Sequence, residues 1–552
     1  MKKPLLLIFL SCFAVIRLLA QAPFATMDTV NINNIGAAVL VHGDMWWDPA
    51  TGQADCEFPA GSGKNMNFAS AIWMSAYDGS GQLHVSAQTY RQTGNDYWPG
   101  PLTSDTLTYT TSQKWAKIWK VNSTDIQSFL TLSTHTTSNT PQSILTWPGK
   151  GNINATGNGG VPLTITNGTA PFVDLNGNGI YEPLQGEYPE IKGDQALWWV
   201  FSDNGPAHNQ TNGKPLGVEV HAMAYAYKRG TLIDDVVYYD YTITNHSSNT
   251  YSDMRMALWD DGVVGWYLDN YLGFDSVWRM GIVYKGNNDD GQGGGFPVNS
   301  YGLNPPQSAV TMIVLPGDSG TNYVPAGSFV YYNNDASIIG TPTVDTQYNN
   351  YMRAKILNGE HFSDDFTGHG HPSKGYGSGP NCNYVWPGDP SDTSLWSECG
   401  SNNNPSIRRF ILASNDFTLN AGSTQKIVFA QIVADTARGC PVTSFNDIRI
   451  VADTAWANYF NPPPQTAVKN ISINNSISIY PNPAFNELYI VNNNSTGDEY
   501  IAIYNSLGQK INLPITKNGI EDIIDVSSLP PALYYIVYRK DNVQKTAIFS
   551  KE

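Results

Sequence analysis

From Asp174 to Glu182 the chain reads Asp-Leu-Asn-Gly-Asn-Gly-Ile-Tyr-Glu, with oxygen-bearing side chains at the first, third and fifth positions and glycine at the sixth. This spacing wraps a short loop around a hard cation. Asp174, Asn176 and Asn178 would offer side-chain oxygens, and Ile180 its carbonyl at the seventh position. The twelfth position is Gln185, where an EF-hand has glutamate, so Glu182, Glu187 or Asp194 would supply the missing charge. Calcium is the expected ion, and an Asn/Gly-rich turn without an ion is the competing reading.

A second run of acids comprises Asp260, Asp261, Asp269 and Asp275. Carboxylates this close in sequence repel unless a cation or proton sits among them, which makes them a second expected calcium position. Two of them at a suitable separation would also serve as the acid and nucleophile of a glycosidase, but sequence does not give that distance. Glu219 and His221 share a face if they lie on a strand, with His208 near in sequence, and His361, His369 and His371 accompany Asp364 and Asp365. Neither group has the spacing of HExxH or a zinc ribbon. Gly317-Asp318-Ser319-Gly320 has the form of a serine-protease nucleophile loop, but Thr321 breaks it, and no GxSxG elbow or P-loop occurs. Trp46, Trp47, Trp98, Trp198 and Trp199 would stack sugars if exposed. Core burial is the simpler expectation, since neighbours on a strand face opposite ways.

The elements that must position these residues are strands. Short β-branched and aromatic runs bounded by Gly, Asn or Pro recur, as at 236–244, 411–413 and 426–430, whereas helical periodicity appears only over 444–459. The fold class is therefore all-β. A body of about 440 residues exceeds the usual single domain, so two β-sandwich-like domains are expected at 21–200 and 201–460, the second with a long loop at 361–401. Residues 461–474, opening Asn461-Pro462-Pro463-Pro464, read as a stiff linker to a small C-terminal domain at 475–552.

The N-terminus has basic Lys2 and Lys3, an apolar run and Ala20 before Gln21, the plan of a cleavable signal peptide over residues 1–20. Removing it, with Lys2, Lys3 and Arg17, takes the net charge from −16 to −19. Nucleic acid is thereby a poor partner, and no later stretch is apolar enough for a transmembrane segment. Cys56, Cys382, Cys399 and Cys440 remain, and on an oxidising export route they are expected to form disulfides. Cys382 with Cys399 is the preferred pair, worth roughly 3 kcal/mol in loop entropy, with the other pairings open.

The C-terminal region carries Ile479-Tyr480-Pro481-Asn482-Pro483, then Tyr504-Asn505-Ser506-Leu507-Gly508, then Val526-Ser527-Ser528-Leu529-Pro530, and finally Tyr534-Tyr535-Ile536-Val537. In order and spacing it resembles the C-terminal sorting domain of Bacteroidetes type IX (Por) secretion cargo. Ala532 stands where that pattern carries Gly before its tyrosine. The resemblance implies a small Ig-like β-sandwich, recognition by the type IX secretion translocon, and release or attachment at the cell surface. Trp98-Pro99-Gly100, Pro171 to Pro189 and Arg408-Arg409-Phe410 resemble other secreted proteins with this tail, a group that implies no activity. The reading overall is an exported, calcium-stabilised, non-enzymatic protein that binds a glycan or surface partner or serves a structural role. Its rival is a hydrolase acting on polysaccharide or protein.

Overall fold

The computed structural model describes residues 25–552 apart from 91–93, 103–105, 167–169, 292–299, 320–321, 365–373, 377–378, 402, 436–437, 463–478, 492–498, 506–508, 518–520 and 541–542. The signal peptide, most of the linker, Gly508, His369 and His371 thus lie outside the described residues. Strands dominate, almost all antiparallel, as the all-β reading expects.

Contacts divide the chain into two units between Ala467 and Val468. The larger unit is built on two sheets. A ten-stranded sheet runs in the order Met27–Val30, Gly36–Leu40, Asp44–Met45, Ala69–Tyr77, Tyr251–Gly262, Arg408–Ala413, Ser328–Tyr332, with three short strands attached. A nine-stranded sheet runs Trp119–Asn122, Gln195–Ser202, Val218–Ala226, Val236–Asn245, Thr424–Ala434, Gln307–Val314, Met280–Lys285, Asn270–Asp275, with Trp98–Pro99 attached. Both sheets draw strands from either side of residue 200, which itself lies inside the 195–202 strand. The expected break near 200 is therefore corrected: the body is one unit, closed by long-range pairing.

The nine-stranded sheet is buried on both faces, which explains apolar runs such as Ala196 to Phe201. Leu197, Trp199, Phe201, Tyr239 and Phe429 face one core together with Trp73 and Trp259 of the other sheet. Trp198, Val200, Tyr225, Tyr238 and Val428 face a second core. The helix Asn446–Phe460 covers that second core with Ile448, Val451, Ala452 and Ala455, the positions its periodicity marks as inward.

The disulfide joins Cys399 to Cys440, with Cα atoms 5.9 Å apart, and this corrects the expected Cys382–Cys399 pair. Both partners dock on the 280–285 strand: the Cys399 N–H donates to the Tyr284 hydroxyl at 3.2 Å and the Cys440 N–H to the Lys285 carbonyl at 2.9 Å. Cys382 instead packs against the core between the sheets, its N–H on the Phe362 carbonyl, and remains a thiol, as does buried Cys56.

The second unit has two four-stranded sheets. One orders Ile479–Tyr480, Glu487–Val491, Glu521–Asp525, Ile515–Lys517; the other orders Lys510–Ile511, Glu499–Tyr504, Ala532–Lys540, Val543–Lys551. Leu488, Ile490, Ile503, Ile524, Ile536 and Phe549 form its own core.

Candidate functional site

The strands Phe172–Val173 and Tyr188–Pro189 pair antiparallel, Phe172 opposite Pro189 and Val173 opposite Tyr188, so residues 174–187 form the loop at the tip of a ribbon. Asp174 organises the loop by accepting the N–H groups of Gly177 and Gly179, both at 2.7 Å, and those bonds hold its carboxyl below the usual range. Gly177 and Gly179 have φ of 74° and 72°, a conformation side chains resist, so the glycine spacing permits this wrap. Asn176 and Asn178 accept N–H groups two residues on, at 3.0 and 2.7 Å, and both donate amide hydrogens to Glu182 Oε2, at 2.9 and 2.7 Å. Glu187 is fully buried and accepts the N–H groups of Leu175 and Glu182, at 3.1 and 2.7 Å, which clips the loop's two ends together.

All six expected residues thus share one loop, and their donors are the hard oxygens that suit calcium. Glu182 is held by the amides of Asn176, Asn178 and Gln185. Among the described residues no group of three or more His, Cys, Asp or Glu side chains converges, so any cation here would depend on amide and carbonyl oxygens as well.

The second acidic run is not brought together, and the expected calcium position there is corrected. Asp260 is wholly buried beside the Asn67 amide, and burial pushes its carboxyl well above the usual range. Asp261 faces Arg409 directly across the strand pair, Oδ2 to Nε 3.1 Å. Asp269 bonds to the buried Lys285 ammonium, which Asp290 also approaches at 2.9 Å. Asp275 binds Arg449 Nε at 2.6 Å. The reason is geometric: Asp260 and Asp261 are strand neighbours on opposite faces, while Asp269 precedes and Asp275 ends a strand that sets them about 20 Å apart.

Glu219 and His221 do share a face, with His221 Nε2 2.7 Å from Oε1 and His246 Nε2 3.6 Å from Oε2. His208 belongs elsewhere, in a buried network in which its Nε2 lies 3.1 Å from Ser86 Oγ and its Nδ1 3.4 Å from Asp96. Asp318 of the protease-like loop is committed to Arg279 and to the Leu315 and Val324 N–H groups. All five candidate tryptophans are buried, the most exposed at 5%.

Sequence reasoning missed a cleft over the second face of the nine-stranded sheet. Two hollows of about 390 and 440 Å³ share Glu190, Ile191 and Lys192. Residues in register on adjacent strands supply one side: Trp198, Met223 and Asp240 in one row, His221, Thr242 and Lys426 in the next. Asp240 is held between Lys192 Nζ at 2.5 Å and Lys426 Nζ at 2.9 Å. Pro171, Val173, Tyr188 and Pro189 supply another side, and these are the root of the ribbon whose tip is the 174–187 loop. Only the alternation of Met223, Tyr225 and Tyr227 with small residues marked this face in the sequence.

In the second unit, Asn482 accepts the Ser550 N–H at 2.8 Å and donates to the Ile548 carbonyl at 3.0 Å, fixing Tyr480-Pro481-Asn482-Pro483 against the last strand. Residues 478–551 match the family described as the secretion system C-terminal sorting domain. The chain is type IX secretion cargo. As such it is exported to the cell surface or beyond, and the secretion translocon is its partner. Among the described residues of this cargo protein no helix is long and apolar enough to cross a membrane. No curated protein matches the chain. Among solved structures, a polysaccharide lyase aligns at 8% identity and a TM-score of 0.17, over 69% of this chain and 38% of its own length, a likeness that carries no argument about activity.

Proposed function

We propose that the body is a calcium-stabilised, non-enzymatic binding protein, whose ligand lies in the cleft over the nine-stranded sheet. The observation that supports this is the continuity of one ribbon: its tip carries the Asp174 oxygen set and its root lines the cleft. A cation at the tip would stiffen the cleft wall without touching the ligand. Of the two acids lining the cleft, Asp240 is bound by two lysines, which suits it to holding a ligand and ill suits it to attacking one, and Glu190 lies where the two hollows meet.

The test is a screen of the exported protein against glycans and surface proteins, with product analysis and metal analysis on the same sample. Retention without turnover, weakened by chelator, by Asp174→Ala and by Thr242→Trp in the cleft, is the expected outcome. Release of cleaved polymer or peptide would replace this reading with that of a secreted hydrolase.

A further inference from the structure

Two more hollows adjoin on the ten-stranded sheet, where the 408–413 strand begins. One, of about 240 Å³, is lined by Phe68, Tyr90, Tyr267, Asp261 and Arg409. The other, of about 310 Å³, is lined by Tyr331, Tyr376 and the amides Asn333, Asn403 and Asn404. Asn334 and Ile407 belong to both.

The ion pair in the first hollow is incompletely used. Asp261 and Arg409 are only 4% and 6% exposed, yet Asp261 Oδ1 has no hydrogen-bond partner. A buried carboxylate oxygen without a donor is a costly deficit. Arg409 donates through Nε alone, to Asp261 and the Tyr90 hydroxyl, and among the described residues its two terminal amino groups find no acceptor. The guanidinium is held between the Tyr90 and Tyr332 rings, at 5.4 and 5.8 Å, so its direction is fixed.

An anionic ligand would satisfy Arg409 and repel Asp261, and a cationic one would do the reverse. A pair of neighbouring hydroxyls satisfies both, since each hydroxyl donates and accepts. The second hollow repeats that demand through Asn333 and Asn404, whose amides carry both a donor and an acceptor, while the Asn403 amide already donates to Glu398 at 2.8 Å. Its Arg408 is neutralised by buried Glu398 at 3.0 Å, and its other two charged residues, Lys374 and Asp335, are of opposite sign, so the combined lining carries no net charge to recruit an ion. Tyrosine and phenylalanine walls fit the apolar C–H faces of sugar rings.

We propose that these adjoining hollows bind a neutral oligosaccharide, one unit against Asp261 and Arg409 and the next against the asparagines, at a site separate from the cleft. The exported full-length protein would be titrated calorimetrically with neutral glucan, mannan, xylan and galactan fragments, and with polygalacturonate and chitosan fragments as charged controls. Exposed Asn334 is shared by both hollows and supports no part of the core, so Asn334→Trp blocks the site without removing a buried partner. At least one neutral fragment should bind, and Asn334→Trp should weaken it by about tenfold or more with an unchanged melting temperature. Chelator and Thr242→Trp should leave this binding intact, which separates it from the cleft. Binding by charged fragments alone, by no fragment, or equally by parent and Asn334→Trp would overturn the proposal.

Discussion

The Asp174 loop and the acids from Asp260 to Asp275 look alike in sequence, each a short stretch crowded with oxygen ligands, and they fold to opposite ends. In the loop, turns fold the chain back so that Asp174 caps Gly177 and Gly179 and both asparagines reach Glu182, and sequence proximity becomes spatial proximity. In the strands, the same spacing throws neighbours onto opposite faces: Asp261, Asp269 and Asp275 each pair with a different cation, and Asp260 is buried beside an amide. A ligand motif is therefore readable only where the backbone turns.

The largest effect that would test this contrast is at Asp261. Asp261→Ala leaves Arg409 buried without its acid and should lower the unfolding free energy by about 3–5 kcal/mol in urea titrations, equally in calcium and in chelator. A loss that appears only with calcium would break the contrast. Next comes pH, where buried and looped acids have opposite signs. Burial pushes the Asp96 carboxyl up from 3.8 to about 6, so the folded state holds its proton longer than the unfolded chain does. Stability from this group should fall as pH rises from about 4 to about 6, by about 3 kcal/mol, and Asp96→Asn should flatten that slope in melting curves. Asp174, held below the usual range, contributes stability at neutral pH that disappears on acidification.

A smaller effect is expected from calcium itself. An affinity of ~0.1 mM, typical of extracellular sites, gives roughly 1.8 kcal/mol at ~2 mM calcium. Melting temperatures should rise with calcium, barely with magnesium, and Asp174→Ala should erase much of the rise; an identical calcium response in both proteins would make the loop an ordinary turn. The smallest effect should be that of Asp275→Asn, about 1 kcal/mol or less by denaturant titration, because partly exposed Arg449 keeps Asp389 at 2.7 Å.

Local features were legible. The 446–460 helix, the 236–245 strand, the Asp174 turn and the motifs of the sorting tail each carry their pattern within a short stretch of chain. What was hidden depends on pairings hundreds of residues apart. Asp261 and Arg409 are 148 positions apart, and the cleft needs strands from 195 to 434 side by side. Cys399 chose Cys440 over nearer Cys382 because both dock on one strand, and no spacing in the sequence announces that strand. The body looked like two domains because of its length, and it is one because both sheets draw strands from along the whole of it.

The two bonds from Asn482 tie the first motif of the sorting tail to the 543–551 strand, some seventy residues further on. The sorting domain is thus closed on itself, its opening motif held by its last described strand. Deleting residues 543–552 should strand the body in the periplasm, as measured by fractionation. Secretion would then depend on the closure of this small domain as a whole and not on its opening motif alone.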